Sequence, residues 1–255
     1  MQLHQTQAAI TGGASGLGLA VARHLIAHGA SVTLLDVNAE KGQAAAMELG
    51  ERARFAALDV TSESDAVNVL AEAKTTMGGL NAVISCAGIL GAGRVLGKDG
   101  PIPLSQFETT VRVNLIGSFN VAKAAANLMQ ANTPGDDGER GVIINTASIA
   151  AFEGQIGQAA YSASKGGIVA MALPMAREFA RIGVRVMTVA PGVFHTPMVD
   201  GMPQAVYDSL CAQVPYPSRL GKPDEFADAV AFILQNRYLN GSVIRVDGAI
   251  RLQPK

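Results

Sequence analysis

The 255 residues carry 20 Lys and Arg against 21 Asp and Glu, a net charge of −1, with 49% hydrophobic and 16% charged side chains. That balance gives no basic surface for nucleic acid or an anionic membrane, while the apolar content is enough for a large buried sheet. Two cysteines, Cys86 and Cys211, form neither a disulfide framework nor a metal-ligand set, and so predict a reducing compartment. The few residues ahead of the first strand are too short for a signal or transit peptide. The longest apolar run, Gly166 to Ala176, is bounded by Lys165 and Arg177 and is too short to span a bilayer. A soluble, cytoplasmic chain is expected.

Short apolar runs alternate with amphipathic stretches, without an internal repeat or a low-complexity linker. Strands are predicted at Gln7–Thr11, Ser31–Leu35, Ala53–Leu58, Ala82–Ser85, Val142–Thr146, Val184–Val189 and Ser242–Val246. Helices are predicted at Leu17–His28, Ala39–Leu49, Glu63–Met77, Leu104–Gln130, Ala159–Arg181 and Pro223–Gln235. Runs that are hydrophobic throughout, separated by helices, predict a parallel doubly wound α/β sheet of seven strands with helices on both faces. One domain over residues 1–255 is expected, with its ligands beyond the carboxyl ends of the strands.

The first strand runs into Thr11-Gly12-Gly13-Ala14-Ser15-Gly16-Leu17-Gly18, a glycine turn that opens a helix. Strand, turn and helix together favour a dinucleotide pyrophosphate on the helix N-terminus, although the spacing is Gly-x-x-x-Gly-x-Gly rather than Gly-x-Gly-x-x-Gly. Asp36 ends the second strand, where a carboxylate would hold the ribose 2′-hydroxyl of NAD and repel the 2′-phosphate of NADP. Val37 and Asn38 offer that phosphate no arginine. Asp59-Val60 and Ser85-Cys86-Ala87-Gly88 fall at the same edge. Cys86 lacks an activating cation in the nearby sequence and reads as a small wall residue.

Leu90 to Pro103 is glycine-rich and apolar, unlike strand or helix, and 133–140 is a polar loop. After the sixth strand, Pro191-Gly192-Val193-Phe194-His195-Thr196-Pro197 opens an apolar, proline-spaced segment. Residues 193–217 are expected to form a mobile cover over an apolar substrate, with an oligomer contact as the alternative. His195 reads as an incidental loop residue. Tyr161 and Lys165 lie one helical turn apart and face the same way. A nearby ammonium is expected to lower the phenol toward the range useful for proton transfer. Ser148, at the end of Gly141-Val-Ile-Ile-Asn-Thr-Ala-Ser148, could donate to the oxygen where charge develops. Alone, Tyr-x-x-x-Lys is an ordinary helix pair; the independent glycine turn decides for a site.

The set Thr11-Gly-x3-Gly-x-Gly18, Ala87-Gly88, Asn114, Ser148, Tyr161-x3-Lys165 and Pro191-Gly192 with Thr196 resembles the short-chain dehydrogenase/reductase family over nearly the whole chain. One departure is Ser85-Cys86-Ala87-Gly88, where that family often has Asn-Asn-Ala-Gly. The resemblance implies Tyr161 as acid/base, Lys165 as its partner and ribose ligand, Ser148 as donor to the substrate oxygen, and Asn114 as holder of a relay water. It also implies NAD contacts at Gly12, Ser15, Gly16, Leu17, Gly18, Asp36, Asp59, Val60, Cys86, Ala87, Gly88, Tyr161, Lys165, Pro191, Gly192, Val193, Phe194 and Thr196. Substrate contacts are implied at Ser148, Gln155, Gln158 and Tyr161, and the assembly is expected to be a homotetramer. The runs Arg140–Ser148, Ala151–Gln155, Gly157–Ile168 and Asp247–Arg251, and the Leu90–Pro103 segment, resemble the branch of that family that oxidises 3-hydroxyacyl-CoA thioesters. Animal members of that branch are mitochondrial, which leaves the compartment open. Steroids, other secondary alcohols or acyl carrier protein thioesters are alternative substrates. A non-catalytic subunit of an RNA-processing assembly is a further alternative, opposed by the intact Ser148-Tyr161-Lys165 set and the near-neutral charge.

Overall fold

A computed structural model describes residues 1–197, 199 and 203–254. From the N-terminus, β1 (Gln7–Thr11) feeds α1 (Gly16–Ala27), followed by β2 (Ser31–Asp36), α2 (Ala39–Leu49), β3 (Ala53–Ala57), α3 (Glu63–Met77) and β4 (Ala82–Ser85). A two-residue hairpin, β5 (Leu96–Gly97) with β6 (Gly100–Pro101), precedes α4 (Leu104–Val111), a π-turn at Arg112–Ile116 and α5 (Gly117–Met129). The second half holds β7 (Gly141–Thr146), α6 (Ala159–Phe179), β8 (Val184–Pro191), α7 (Gln204–Gln213), α8 (Pro223–Gln235) and β9 (Val243–Val246).

Seven strands pair in the order β3-β2-β1-β4-β7-β8-β9, all parallel. Side chains alternate across the sheet, so each strand supplies two cores. On one face Ile10, Leu34, Ile84, Ile144 and Met187 meet Val21 and Leu25 of α1 and Phe226 and Val230 of α8. On the other, Val83, Ile143 and Val186 meet Leu70 of α3 and Val121 and Met129 of α5. Side-chain caps fix two of the covering helices: Asn38 accepts from the Lys41 N–H at 3.0 Å and Ser62 from the Asp65 N–H at 3.2 Å.

The order reverses between β1 and β4, one strand leading outward through β2 and the other through β7. The crevice at that switch point is where such sheets bind ligands. Every strand predicted from sequence is present to within two residues. Burial on both faces holds for the central strands, but β3 and β9 at the edges are only partly covered. The predicted helix Leu104–Gln130 is interrupted at Asn114, and 90–103 contains the small β5–β6 ladder. The cover is partly helical through α7; positions 198 and 200–202 of it lie outside the described residues.

Candidate active site

The carboxyl ends of the strands border a cleft of about 800 Å³. All of the residues named above for NAD and substrate line it; Asn114 lies just behind the wall. The glycine turn is shaped by the protein's own packing. Gly12 has φ +64°, and a Cβ there would sit 2.8 Å from the Ala87 nitrogen. A Cβ on Gly18 would stand 2.4 Å from the Gly12 carbonyl oxygen. The turn is thus pressed onto the β4 exit, where the Thr11 hydroxyl accepts from the Ala87 N–H at 3.2 Å. Gly16 differs, because a Cβ there would meet nothing nearer than Thr196, 3.8 Å away across the cleft.

Asp36 accepts from the Ala14 N–H at 3.3 Å through one carboxylate oxygen and from the Asn38 N–H at 3.0 Å through the other. It therefore braces the glycine turn while its remaining lone pairs face the rim. Asp59 spends one oxygen on the Thr61 N–H and hydroxyl, at 2.9 and 2.8 Å. Phe194 places its backbone at the rim, but its ring is buried edge-on to Phe226 with centroids 6.2 Å apart. Cys86 accepts from the Thr146 hydroxyl at 3.5 Å, and burial pushes its thiol up to about 11 against the pull of Thr146 and Lys165. The wall-residue reading fits that inert thiol.

Tyr161 and Lys165 share the inner face of α6, with Nζ 5.8 Å from the centroid of the phenol ring. Ser148 leaves β7 in extended conformation, accepts from the Ala150 N–H at 3.1 Å and hydrogen-bonds the Tyr161 hydroxyl. The expected lowering of the phenol by lysine is not what the site produces. Burial pushes Tyr161 above its ordinary value, and only the Ser148 hydroxyl opposes it. The same burial lowers the Lys165 ammonium from 10.5 to about 8, with its charge partly favoured by Cys86, and Nζ donates to the Thr146 carbonyl at 2.7 Å. Desolvation penalises phenolate and ammonium alike, and in both groups it is the largest cause of the shift.

Asn114 occupies the π-turn, in which the Gly117 N–H reaches back five residues to the Arg112 carbonyl. Its Oδ1 accepts from the Ile89 N–H at 2.8 Å, and its Nδ2 donates to the Ile89 carbonyl at 2.9 Å and to Ser164 Oγ at 3.0 Å. The Ser164 hydroxyl in turn donates to the Tyr161 carbonyl at 2.7 Å. Both amide hydrogens are committed, so Asn114 ties the β4 exit to α6. A relay water would have the Asn114 main-chain oxygen to bind, which already accepts from Ser118 Oγ at 2.7 Å.

Gln155 and Gln158 interlock on the opposite wall, the Gln155 N–H donating to Gln158 Oε1 at 3.0 Å. His195 is exposed, its ring edge-on to Tyr207, consistent with a loop residue. Sequence reasoning missed Ile149, Ala150 and Leu252 near Ser148 and Val113 within the π-turn, all of which line the cleft. Only the apolar Ile149-Ala150 pair directly after Ser148 carried a usable signal. Among the described residues no helix is long and apolar enough to cross a membrane.

A family model described as "short chain dehydrogenase" matches residues 6–206. The chain is 54% identical to the 3-hydroxyacyl-CoA dehydrogenase type-2 of Homo sapiens over 97% of its length and 95% of that protein. It is 48% identical to the protein of the same name from Drosophila melanogaster, over 96% of this chain and 97% of that one. A crystal structure of 3-hydroxyacyl-CoA dehydrogenase type-2 from Mycobacterium avium superposes with a TM-score of 0.94 at 44% identity, covering 97% and 96% of the two chains. A glycine turn at a sheet switch point, a serine–tyrosine–lysine set on one wall and these likenesses along the whole chain lead to one conclusion: the protein is an oxidoreductase belonging to the short-chain dehydrogenase family.

Proposed function

We propose that the protein interconverts 3-hydroxyacyl-CoA and 3-ketoacyl-CoA thioesters with NAD as hydride carrier. The observation that carries this reading is the Tyr161 phenol, hydrogen-bonded to Ser148 and backed by Lys165, in a cleft continuous with the glycine turn. The names of the relatives supply the substrate class. The residues fit the cofactor. Gly16 leaves open space at the α1 N-terminus, and Asp36 presents a carboxylate where Val37 and Asn38 offer no cation. The bound nicotinamide supplies the hydride chemistry.

Tyr161 keeps its proton at neutral pH, because burial holds the phenol above its ordinary value. In the reducing direction it donates that proton to the ketone oxygen. Ser148 donates a second hydrogen bond to the same oxygen and fixes its position. Lys165 stabilises the phenolate left behind, and the proton returns from solvent. In the oxidising direction Tyr161 first releases its proton to solvent, and the phenolate, stabilised by Lys165, then takes the hydroxyl proton. Gln155 and Gln158 shape the wall beside Ser148. The active assembly in this reading is a cytoplasmic homotetramer.

The test is NADH oxidation with acetoacetyl-CoA, beside 2-methylacetoacetyl-CoA, a steroid ketone and NADPH. NADH-linked reduction of the CoA esters is the expected result. Turnover of the steroid alone would remove the substrate class, and turnover with NADPH alone would remove the Asp36 assignment.

A further inference from the structure

The tail that follows β9 has no part in the chemistry above, yet ion pairs and hydrogen bonds tie it to the loop beside the cleft. Arg245 makes a paired contact with Glu153, at 2.7 and 3.2 Å, and donates Nε to Asp247 at 2.7 Å. Arg251 closes the cluster onto the same two carboxylates, 3.1 Å from Glu153 and 3.2 Å from Asp247. Beyond it the tail runs alongside the loop that carries the substrate wall. The Ile156 N–H donates to the Pro254 carbonyl at 3.0 Å, and Gln155 Nε2 to the Gln253 carbonyl at 3.1 Å. Between these anchors lies Leu252, a half-buried side chain in contact with a small apolar cluster of Ile149, Val193, Val214 and Ile250. Leu252, Ile149 and Val193 all border the cleft. Ile149 directly follows Ser148, which places the cluster beside the Ser148 end of the cleft.

We infer that Leu252 is a specificity-determining residue, the apolar wall that limits how far a substrate chain extends past Ser148. The charged cluster gives that wall its rigidity. A side chain on a free tail could move aside for any ligand, whereas one fixed on both sides by ion pairs and peptide hydrogen bonds sets a boundary. Its occupant is the apolar part of the substrate, an acyl chain in the reading proposed above, on which the inference rests for its ligand.

The test compares kcat/KM for 3-ketododecanoyl-CoA and acetoacetyl-CoA in wild type, Leu252→Ala, Leu252→Trp and Leu252→Met, with the NADH Kd of each. The long-to-short ratio is expected to rise about tenfold in L252A, to fall about tenfold in L252W and to stay near wild type in L252M, at unchanged NADH affinity. A ratio within twofold of wild type in both L252A and L252W overturns the inference. So does an equal loss on both substrates accompanied by weaker NADH binding, which would make Leu252 scaffolding. Wild-type inactivity on every CoA ester overturns the proposed function instead, and the same ratio is then read between small and bulky homologues of whichever ketone is reduced.

Discussion

The two walls of the cleft are built on different principles. The wall proposed for the cofactor is assembled from consecutive strand ends, each contributing a short run at or just after the end of its strand: Gly12 to Gly18, Asp36, Asp59-Val60 and Cys86 to Gly88. Two of its glycines are demanded by backbone pressed on backbone, Gly12 against Ala87 and Gly18 against Gly12. The wall proposed for the substrate draws on segments far apart in the chain, from Ile149 and Gln155 to Leu252, with Val214 packed in the cluster beside it. It is held by ion pairs and side-chain hydrogen bonds. A wall set by local backbone geometry tolerates little change, whereas one set by side chains can be recut for a new substrate without disturbing the sheet.

Tyr161 stands where the walls meet, and its removal should have the largest effect on turnover with the least effect on either. Tyr161→Phe is expected to lower kcat about a thousandfold. NADH affinity, followed by fluorescence titration, should stay within about threefold. Joint loss of both would mean that the phenol supports the cofactor wall rather than the chemistry.

Asp36 tests the cofactor wall alone. Asp36→Ala should shift the NADP-to-NAD preference in kcat/KM by roughly thirtyfold, since it removes a charge-assisted hydrogen bond to one cofactor and a repulsion to the other. The ratio of branched to straight acyl substrates should not move. A change in that ratio would show the walls to be coupled.

The smallest effect is on stability, at Lys165. Lowered from 10.5 to about 8 in the folded chain, the ammonium costs about 3 kcal/mol below pH 8. Between pH 8 and 10.5 the unfolded chain keeps a proton that the folded chain has released, so this cost is relieved as pH rises. Lys165→Met removes it along with one hydrogen bond to Thr146, worth about 1 kcal/mol. The variant should be inactive yet more stable at pH 6.5, by about 2 kcal/mol in urea unfolding, and lose that advantage by pH 10. An equal loss of stability at both pH values would show that the lysine holds the wall together.

The cofactor wall was legible in the sequence for the same reason that it is rigid. A strand followed by a glycine turn and a helix is a local pattern, and Asp36 and Gly88 follow at fixed places after their strands. The substrate wall was legible only where it touches that pattern, at Ser148, Tyr161, Gln155 and Gln158. Leu252 lies at the end of an apolar-polar tail with no periodicity, and its place depends on Arg245, Glu153 and Arg251 meeting across distant segments. Helix α7 was read as part of a loop because Pro203 and Pro215 dominate its flanks. The Tyr161 shift was misread in sign: spacing reveals the ammonium nearby but not the depth of burial that outweighs it.

The π-turn at Arg112–Ile116 makes one long stretch of the protein sensitive to counting as well as to chemistry. Its wide ring holds one residue more than an ordinary helical turn. Losing a residue beside Asn114 in this turn would close the ring into regular helix and change the direction in which the Asn114 side chain leaves the backbone. Every atom type needed at Asn114 could survive such a change while its amide turned away from Ile89 and Ser164. An in-frame loss of a single codon here would therefore uncouple α6 more thoroughly than many substitutions within the pocket.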